Sequence, residues 1–117
     1  MTVKIVRDRI THSALEALAQ EAYVEMVKAV ADLRKGVVAF GGEMHTDAQA
    51  ALMAEGSAKK DLWGFCLVLG RPFADAFDFT SHINIRPEDG NPSVKIKDPD
   101  VRRSVVELTA QRVDWSH

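Results

Sequence analysis

The segment Leu62–Leu69 constrains the fold more than any other part of this 117-residue sequence. Its residues are apolar on both alternating faces apart from Gly64, a pattern typical of a strand that is covered on both sides of a sheet. Gly70-Arg71-Pro72 follows directly and ends the strand. The sequence therefore predicts a sheet with Leu62–Leu69 in its interior and with other elements packed on each face.

The N-terminal part indicates strand, helix and strand. Val3–Val6 is short and β-branched, as expected of a strand. Ser13 and Glu16 have the spacing of a capping box, which marks a helix start, and Gly36 marks its end. Apolar residues recur between them at intervals of three and four, at Leu15, Leu18, Ala19, Ala22, Met26, Val30 and Leu33. This spacing predicts an amphipathic helix of about twenty residues. Because the buried strand Val37–Phe40 follows, we expect a βαβ unit with two parallel strands.

The second half of the chain contains a short helix and then a hairpin. A capping-box pattern precedes Asp47–Ala54, where we expect the short helix. Residues 77–86 alternate strictly between apolar and polar side chains, which predicts a half-buried strand. The turn-forming residues 87–92 and a second alternating segment at 94–97 complete a predicted antiparallel β-hairpin.

Asp98 followed by Pro99 has the pattern of a helix N-cap and first helical residue, which predicts a C-terminal helix. No repeat or low-complexity tract divides the sequence. We therefore predict one α+β domain spanning residues 1–117. It consists of a βαβ unit, a short helix, an antiparallel β-hairpin region and a C-terminal helix, with about five strands in a mixed sheet.

Charge and composition limit the classes of partner. The chain carries 15 basic and 17 acidic residues, a formal net charge of −2, so no global field draws it to nucleic acid or to an anionic membrane. Basic residues concentrate near the C-terminus without interleaved aromatic residues, at Lys95, Lys97, Arg102, Arg103 and Arg112. Nucleic-acid binding is therefore not expected. The single Cys66 excludes an internal disulfide, and neither a membrane span nor a secretory signal pattern is present. We expect a cytoplasmic protein.

The segment after Gly41-Gly42 contains three closely spaced side chains that can bind a metal or transfer a proton. Glu43, His45 and Asp47 fall at spacing two, so an extended backbone would project them to one side. Carboxylate and imidazole together suit zinc, manganese or iron, with His82 as a further ligand from a neighbouring strand. The alternative, which we favour, places Asp47 in the first turn of the short helix, where its charge complements the helix dipole. No cofactor is assigned.

A polar row on the predicted strand 77–86 is the second candidate. Asn84 and Arg86 belong to this row, and Arg86 can bind a carboxylate or phosphate through two hydrogen bonds. Together the two segments give a candidate ligand-binding set of Glu43, His45, Asp47, Asn84 and Arg86. The favoured alternative is that the row is the solvated face of an antiparallel sheet.

Several motifs spread along the chain resemble a family of short bacterial proteins known as a domain of unknown function. They are Gly41–Ala48, Leu62–Gly64, Phe79–Ser81, Ile83–Pro87 with Gly90-Asn91, and Asp98-Pro99 with Val101-Arg102. His82 departs from the family pattern, which has an aliphatic residue there. The resemblance implies a small, free-standing bacterial protein. It adds no activity, substrate, cofactor or catalytic residue.

Two hypotheses of function follow. The favoured one is a non-catalytic binding or interaction module that forms a homodimer through an open sheet edge or face, because small sheet proteins must cover or pair their edges. The second is a small-molecule or metal-dependent enzyme whose site contains Glu43, His45, Asp47, Asn84 and Arg86. The sequence identifies neither a substrate nor a partner.

Overall fold

A computed structural model describes residues 1–116, so residue 117 of the predicted domain 1–117 lies outside the described residues. The helices and strands follow in the order β1 Val3–Val6, β2 Ile10–Thr11, α1 His12–Gln20, β3 Met26–Asp32, β4 Val37–Gly41, α2 His45–Ala54, β5 Leu62–Val68, β6 Phe77–Asp78, α3 Pro99–Arg112 and β7 Val113–Asp114. Short 3-10 turns lie between several of them. Within these residues, no helix combines the length and the apolar character that crossing a bilayer requires.

Five strands form the main sheet in the order β1-β4-β3-β5-β6, and all neighbours are antiparallel. β5 lies inside the sheet between β3 and β6, as its two apolar faces predict. β2 and β7 form a separate parallel pair. The α+β class, the five strands, the short helix and the C-terminal helix are confirmed. The predicted mixed sheet is corrected, because all its strand pairs are antiparallel. β1 and β6 are the sheet edges, and homodimer formation through an edge stays a prediction.

The predicted helix over residues 13–33 and its βαβ unit are corrected by the structure. α1 ends at Gln20, the chain reverses, and Met26–Asp32 is strand β3. β1 pairs antiparallel with β4, so no parallel crossover forms. The residues of β3 fit a helical spacing, but their backbone forms hydrogen-bonded ladders with β4 and with β5. Tertiary pairing therefore decides the structure of a segment whose local pattern suits both states.

The reversal between α1 and β3 depends on an unusual backbone at Val24. Its φ of +65° is left-handed, a region that β-branched residues rarely adopt. Its N–H donates to the carbonyl oxygen of Ala19 at 2.7 Å and so closes the end of the helix. Glycine is the usual residue at such a position. Val24 therefore holds a strained conformation, which directs the following residue, Glu25, toward the end of β5.

The sheet is covered on both faces. α1 and α3 pack on one face, over a core that includes Leu15, Phe40, Phe65, Leu67 and Val105. α2 packs on the other face, where its Leu52 joins Val30, Ala39 and Leu62 of the sheet in a second core cluster. Both faces of the central strands are therefore removed from water, which is the main source of folding free energy in a domain of this size.

The predicted strand over residues 77–86 is also corrected. Only Phe77–Asp78 pairs with β5, and the chain then crosses the face of β5 at Gly64. A Cβ atom at Gly64 would lie 2.6 Å from the Ser81 side chain, so the crossing needs a glycine beneath it. The predicted hairpin is reduced to two isolated bridges, Thr80 with Lys95 and Arg86 with Asn91.

Candidate functional site

The turn between β4 and α2 is built by glycine and by a helix cap. Gly41 and Gly42 have φ values of +106° and +85°, and a Cβ atom on Gly41 would overlap the carbonyl oxygen of Thr2. One oxygen of Asp47 accepts hydrogen bonds from the N–H groups of Glu43 at 3.1 Å and Met44 at 2.9 Å. Asp47 thus turns back onto the first turn of α2, where it satisfies two backbone donors.

His45 points into the protein. Its side chain is 7% exposed, and its Nε2–H donates to the carbonyl oxygen of Phe65 at 2.7 Å. Burial lowers the pKa of His45, although the hydrogen bond to Phe65 acts in the opposite direction. The imidazole is therefore neutral at pH 7.

Cys66 lies beside His45, with its Sγ atom 3.8 Å from Nε2. Burial, and then the charge of Asp78, raise the pKa of the thiol to about 11. A thiol that is protonated at pH 7 is a poor nucleophile. The His45 and Cys66 pair therefore lacks the activated thiolate of a cysteine-dependent enzyme. Cys66 is buried within the interior strand β5.

We expect His45 to make stability depend on pH in the acid range. Because its pKa is lower in the folded state, the unfolded chain takes up the proton first as the pH falls below about 6.5. Stability is then lost, by at most about 1.4 kcal/mol per pH unit for one proton. Urea denaturation at pH 7.5 to 5 should show a smaller loss in His45→Gln than in the parent protein. Equal losses in both proteins would contradict the assignment.

The polar residues predicted to line the site from residues 77–86 are buried. Asn84 is fully buried: its Oδ1 accepts from the N–H of Gly64 at 2.8 Å, and its Nδ2 donates to the carbonyl oxygens of Gly64 and Val94. Asn91, which the sequence did not mark as a site residue, is also buried and donates to three carbonyl oxygens. Both side-chain amides therefore supply hydrogen bonds to backbone groups in a segment where regular secondary structure does not supply them.

The Arg86 side chain is also buried and bonded within the fold. Its guanidinium donates to the carbonyl oxygens of Lys60 at 2.8 Å and of Leu62, and its Cζ atom lies 4.0 Å from the centre of the Trp63 ring. Burial lowers the pKa of the guanidinium, but an arginine keeps its charge at any ordinary pH. Arg86 therefore uses much of its hydrogen-bonding capacity within the fold.

The five predicted site residues do not converge on one cavity. Glu43 is exposed and Asp47 caps a helix, whereas His45, Asn84 and Arg86 each bond to a different set of carbonyl oxygens. The cavity beside His45 and His82 has a volume of about 50 Å³, far below the range of small-molecule sites, which begins at about 300 Å³. Across residues 1–116, no three His, Cys, Asp or Glu side chains are grouped so that they could hold a metal. Ligand binding by these five residues stays a prediction.

The structure brings together a different set of residues at the β6 edge, which we call the basic groove. Its volume is about 400 Å³, and it is lined by Val68, Arg71, Phe77, Asp78, Phe79, Thr80, Lys95 and Arg102. Three cationic side chains thus face one carboxylate in a protein of net charge −2. No described residue forms an ion pair with these three cations. The sequence showed the basic C-terminal segment but not that Arg71 and two aromatic rings join it.

Arg102 is held in a fixed position within the groove. Its Nε–H donates to the carbonyl oxygen of Ile96 at 2.6 Å, and its Cζ atom lies 4.9 Å from the centre of the Phe79 ring. Its terminal Nη atoms have no partner among the described residues. The neighbouring Arg103 is exposed and pairs with Asp100 at 2.7 Å. Arg102 therefore has a fixed orientation and no carboxylate partner, whereas the charge of Arg103 is balanced by Asp100.

A larger cavity, of about 520 Å³, adjoins the basic groove and shares Val68 and Arg71 with it. We call it the acidic cavity because Glu16 and Glu25 line it. Glu16 lies 3.2 Å from the buried His12, whose Nε2–H donates to the carbonyl oxygen of Leu69 at 2.8 Å. Val24, the residue with the left-handed backbone, also lines this cavity.

Comparison with known proteins assigns the chain to a family but not to a function. Neither the curated proteins nor the solved structures contain a match. A family model for a protein of unknown function matches residues 4–112, which is most of the chain. The chain therefore belongs to DUF5674, a family of proteins of unknown function.

Proposed function

We propose that this protein is a non-catalytic binding module for a small phosphate-bearing molecule, which it holds in the basic groove. The observation that carries the proposal is the cluster of Arg71, Lys95 and Arg102, unpaired with any described residue and opposed by only one carboxylate, Asp78. A phosphate monoester carries about −1.5 to −2 charges at pH 7, close to the excess positive charge of the groove. Its three oxygens accept hydrogen bonds from lysine and arginine.

The geometry of Arg102 supports recognition of an anion. A guanidinium that is already fixed by Ile96 and Phe79 loses less conformational freedom on binding than a free side chain does. Thr80 lies opposite Lys95 in an antiparallel bridge, so the position of the Lys95 backbone, from which its side chain extends, is also fixed. The groove volume of about 400 Å³ lies within the range of small-molecule sites.

The lining of the groove favours binding over catalysis. It includes one carboxylate, Asp78, and one hydroxyl, Thr80, but neither a histidine nor a cysteine. Nucleophilic or general-base catalysis ordinarily needs a pair of such groups within hydrogen-bonding distance of each other. Phe77 and Phe79 instead supply an apolar surface, against which the carbon skeleton of a phosphate ester can pack.

We expect Arg102→Gln to weaken the binding of ethyl phosphate about tenfold, which corresponds to the loss of a hydrogen bond between charged groups. Arg103→Gln removes the same charge from the next residue of α3 and is the matched control. We expect it to change the affinity less than twofold, because exposed charges act weakly through solvent. The dissociation constants are measured by amide chemical shifts at low ionic strength, where screening is small.

Two results would contradict the proposal. In the first, ethyl phosphate causes no saturable shifts in residues 77–80 or at Lys95 and Arg102. In the second, Arg103→Gln weakens binding as much as Arg102→Gln, which would indicate general attraction by α3 rather than a site. Comparison with ethanol at the same concentrations identifies shifts that come from the alkyl group alone.

A further inference from the structure

We infer that the ligand is bipolar, with a phosphate in the basic groove and an amino group that reaches into the acidic cavity. This inference rests on the proposed function and identifies the ligand class as an amine-bearing phosphate ester. The two cavities share Val68 and Arg71, so they are adjacent. Apart from the shared Arg71, the charged residues of the acidic cavity are Glu16 and Glu25, whereas Lys95 and Arg102 outnumber Asp78 in the basic groove.

Glu25 is the residue that we expect to bind the amino group. Its carbonyl oxygen accepts a hydrogen bond from the N–H of Leu69 at 3.0 Å, which fixes its backbone at the mouth of the acidic cavity. Its exposed carboxylate forms no ion pair with a described residue. Glu16 differs, since it already contacts His12. An unpaired carboxylate on a fixed backbone is suited to accept hydrogen bonds from an ammonium group.

Arg71 forms the boundary between the two cavities. Its N–H donates to the carbonyl oxygen of Val68 at 3.3 Å, and its own carbonyl oxygen accepts from Nε1 of Trp115 at 3.1 Å. The backbone of Arg71 is therefore anchored, while its exposed side chain can turn toward the phosphate. Val24, which directly precedes Glu25, also lines the acidic cavity.

The test compares alkyl phosphates with aminoalkyl phosphates of the same chain length, from two to six carbon atoms. We expect the amino group to tighten binding about fivefold at one chain length, the upper range for an exposed ion pair. At that length the aminoalkyl phosphate should also shift the amide signals of Glu25 and Leu69, which the alkyl phosphate should leave unchanged.

Glu25→Gln is expected to abolish the gain from the amino group. Glu107→Gln changes an exposed glutamate outside both cavities. It is the matched control and should retain the gain. The inference is overturned if no chain length gives a gain, or if the gain survives in Glu25→Gln. In those cases the alkyl phosphates still bind and the proposed function stands. If no phosphate of either series binds, both are overturned.

Discussion

Asn84→Ala is expected to lower the free energy of unfolding by about 3 kcal/mol, because it leaves buried backbone groups without partners. The side chain now satisfies both the N–H and the C=O of Gly64, at 2.8 and 2.9 Å, and also reaches the carbonyl oxygen of Val94 at 3.2 Å. It thereby ties the segment that crosses β5 to two other parts of the chain. Water cannot replace these bonds, since Asn84 is fully buried.

Urea denaturation gives the measurement, with His82→Ala as the control. His82 belongs to the same 3-10 turn but is exposed, so we expect its replacement to cost less than about 0.5 kcal/mol. Asn84→Asp keeps the acceptor for the Gly64 N–H but loses the amide donor, and it should also destabilise the fold. A loss below about 1 kcal/mol in Asn84→Ala, together with weaker ligand binding, would instead support the role of Asn84 as a ligand-binding residue.

The parts of the fold that follow from the sequence are those whose signals are local. Leu62–Leu69 is apolar on both faces, and a segment of that pattern and length is typical of an interior strand. Asp98 and Pro99 mark the start of α3, and the Asp98 side chain indeed accepts from the N–H of Asp100 at 2.8 Å. Caps and two-faced strands can be recognised because each depends on residues close in sequence.

β3 could not be recognised in this way. Met26 and Val30 suit either a strand or the apolar stripe of a helix. The outcome is decided by β4 and β5, which supply hydrogen-bond partners on both sides of Met26–Asp32. Such partners are far away in the sequence, so a local periodicity cannot reveal them.

The candidate site was difficult to predict for a related reason. Alternating polar residues at 78–86 indicate a solvated strand face, yet the segment leaves the sheet and buries Asn84 and Arg86. The basic groove combines Arg71, Lys95 and Arg102, which no motif connects. The predicted hairpin, with its turn at residues 87–92, would place Lys95 opposite residue 84, whereas the structure places it opposite Thr80. Nothing in the sequence indicates that Arg71 lies beside Lys95 and Thr80.

Arg86→Leu is expected to cost about 3 to 4 kcal/mol, because truncating one side of a buried charged network leaves its partners unpaired. The carbonyl oxygens of Lys60 and Leu62 would lose their donor, and Trp63 would lose the guanidinium that lies 4.0 Å from its ring centre. Arg86→Lys keeps the charge, but a single ammonium group cannot reproduce the planar fork or the stacking. It should therefore cost about 2 kcal/mol, between Arg86→Leu and the parent protein.

The stability of Arg86 variants also separates a structural role from ligand binding. Arg103→Leu, at an exposed site, is the control in urea denaturation and should cost less than about 1 kcal/mol. Because Arg86 does not line the basic groove, Arg86→Lys should bind ethyl phosphate with the parent's affinity under conditions where it is folded. If Arg86→Lys were as stable as the parent but bound the phosphate poorly, the anion site would have to include Arg86, and the groove at Arg102 would not be sufficient. The expected combination is lower stability with unchanged affinity. It would show that the guanidinium of Arg86 stabilises the fold around β5 and that phosphate binds separately, in the basic groove at the β6 edge.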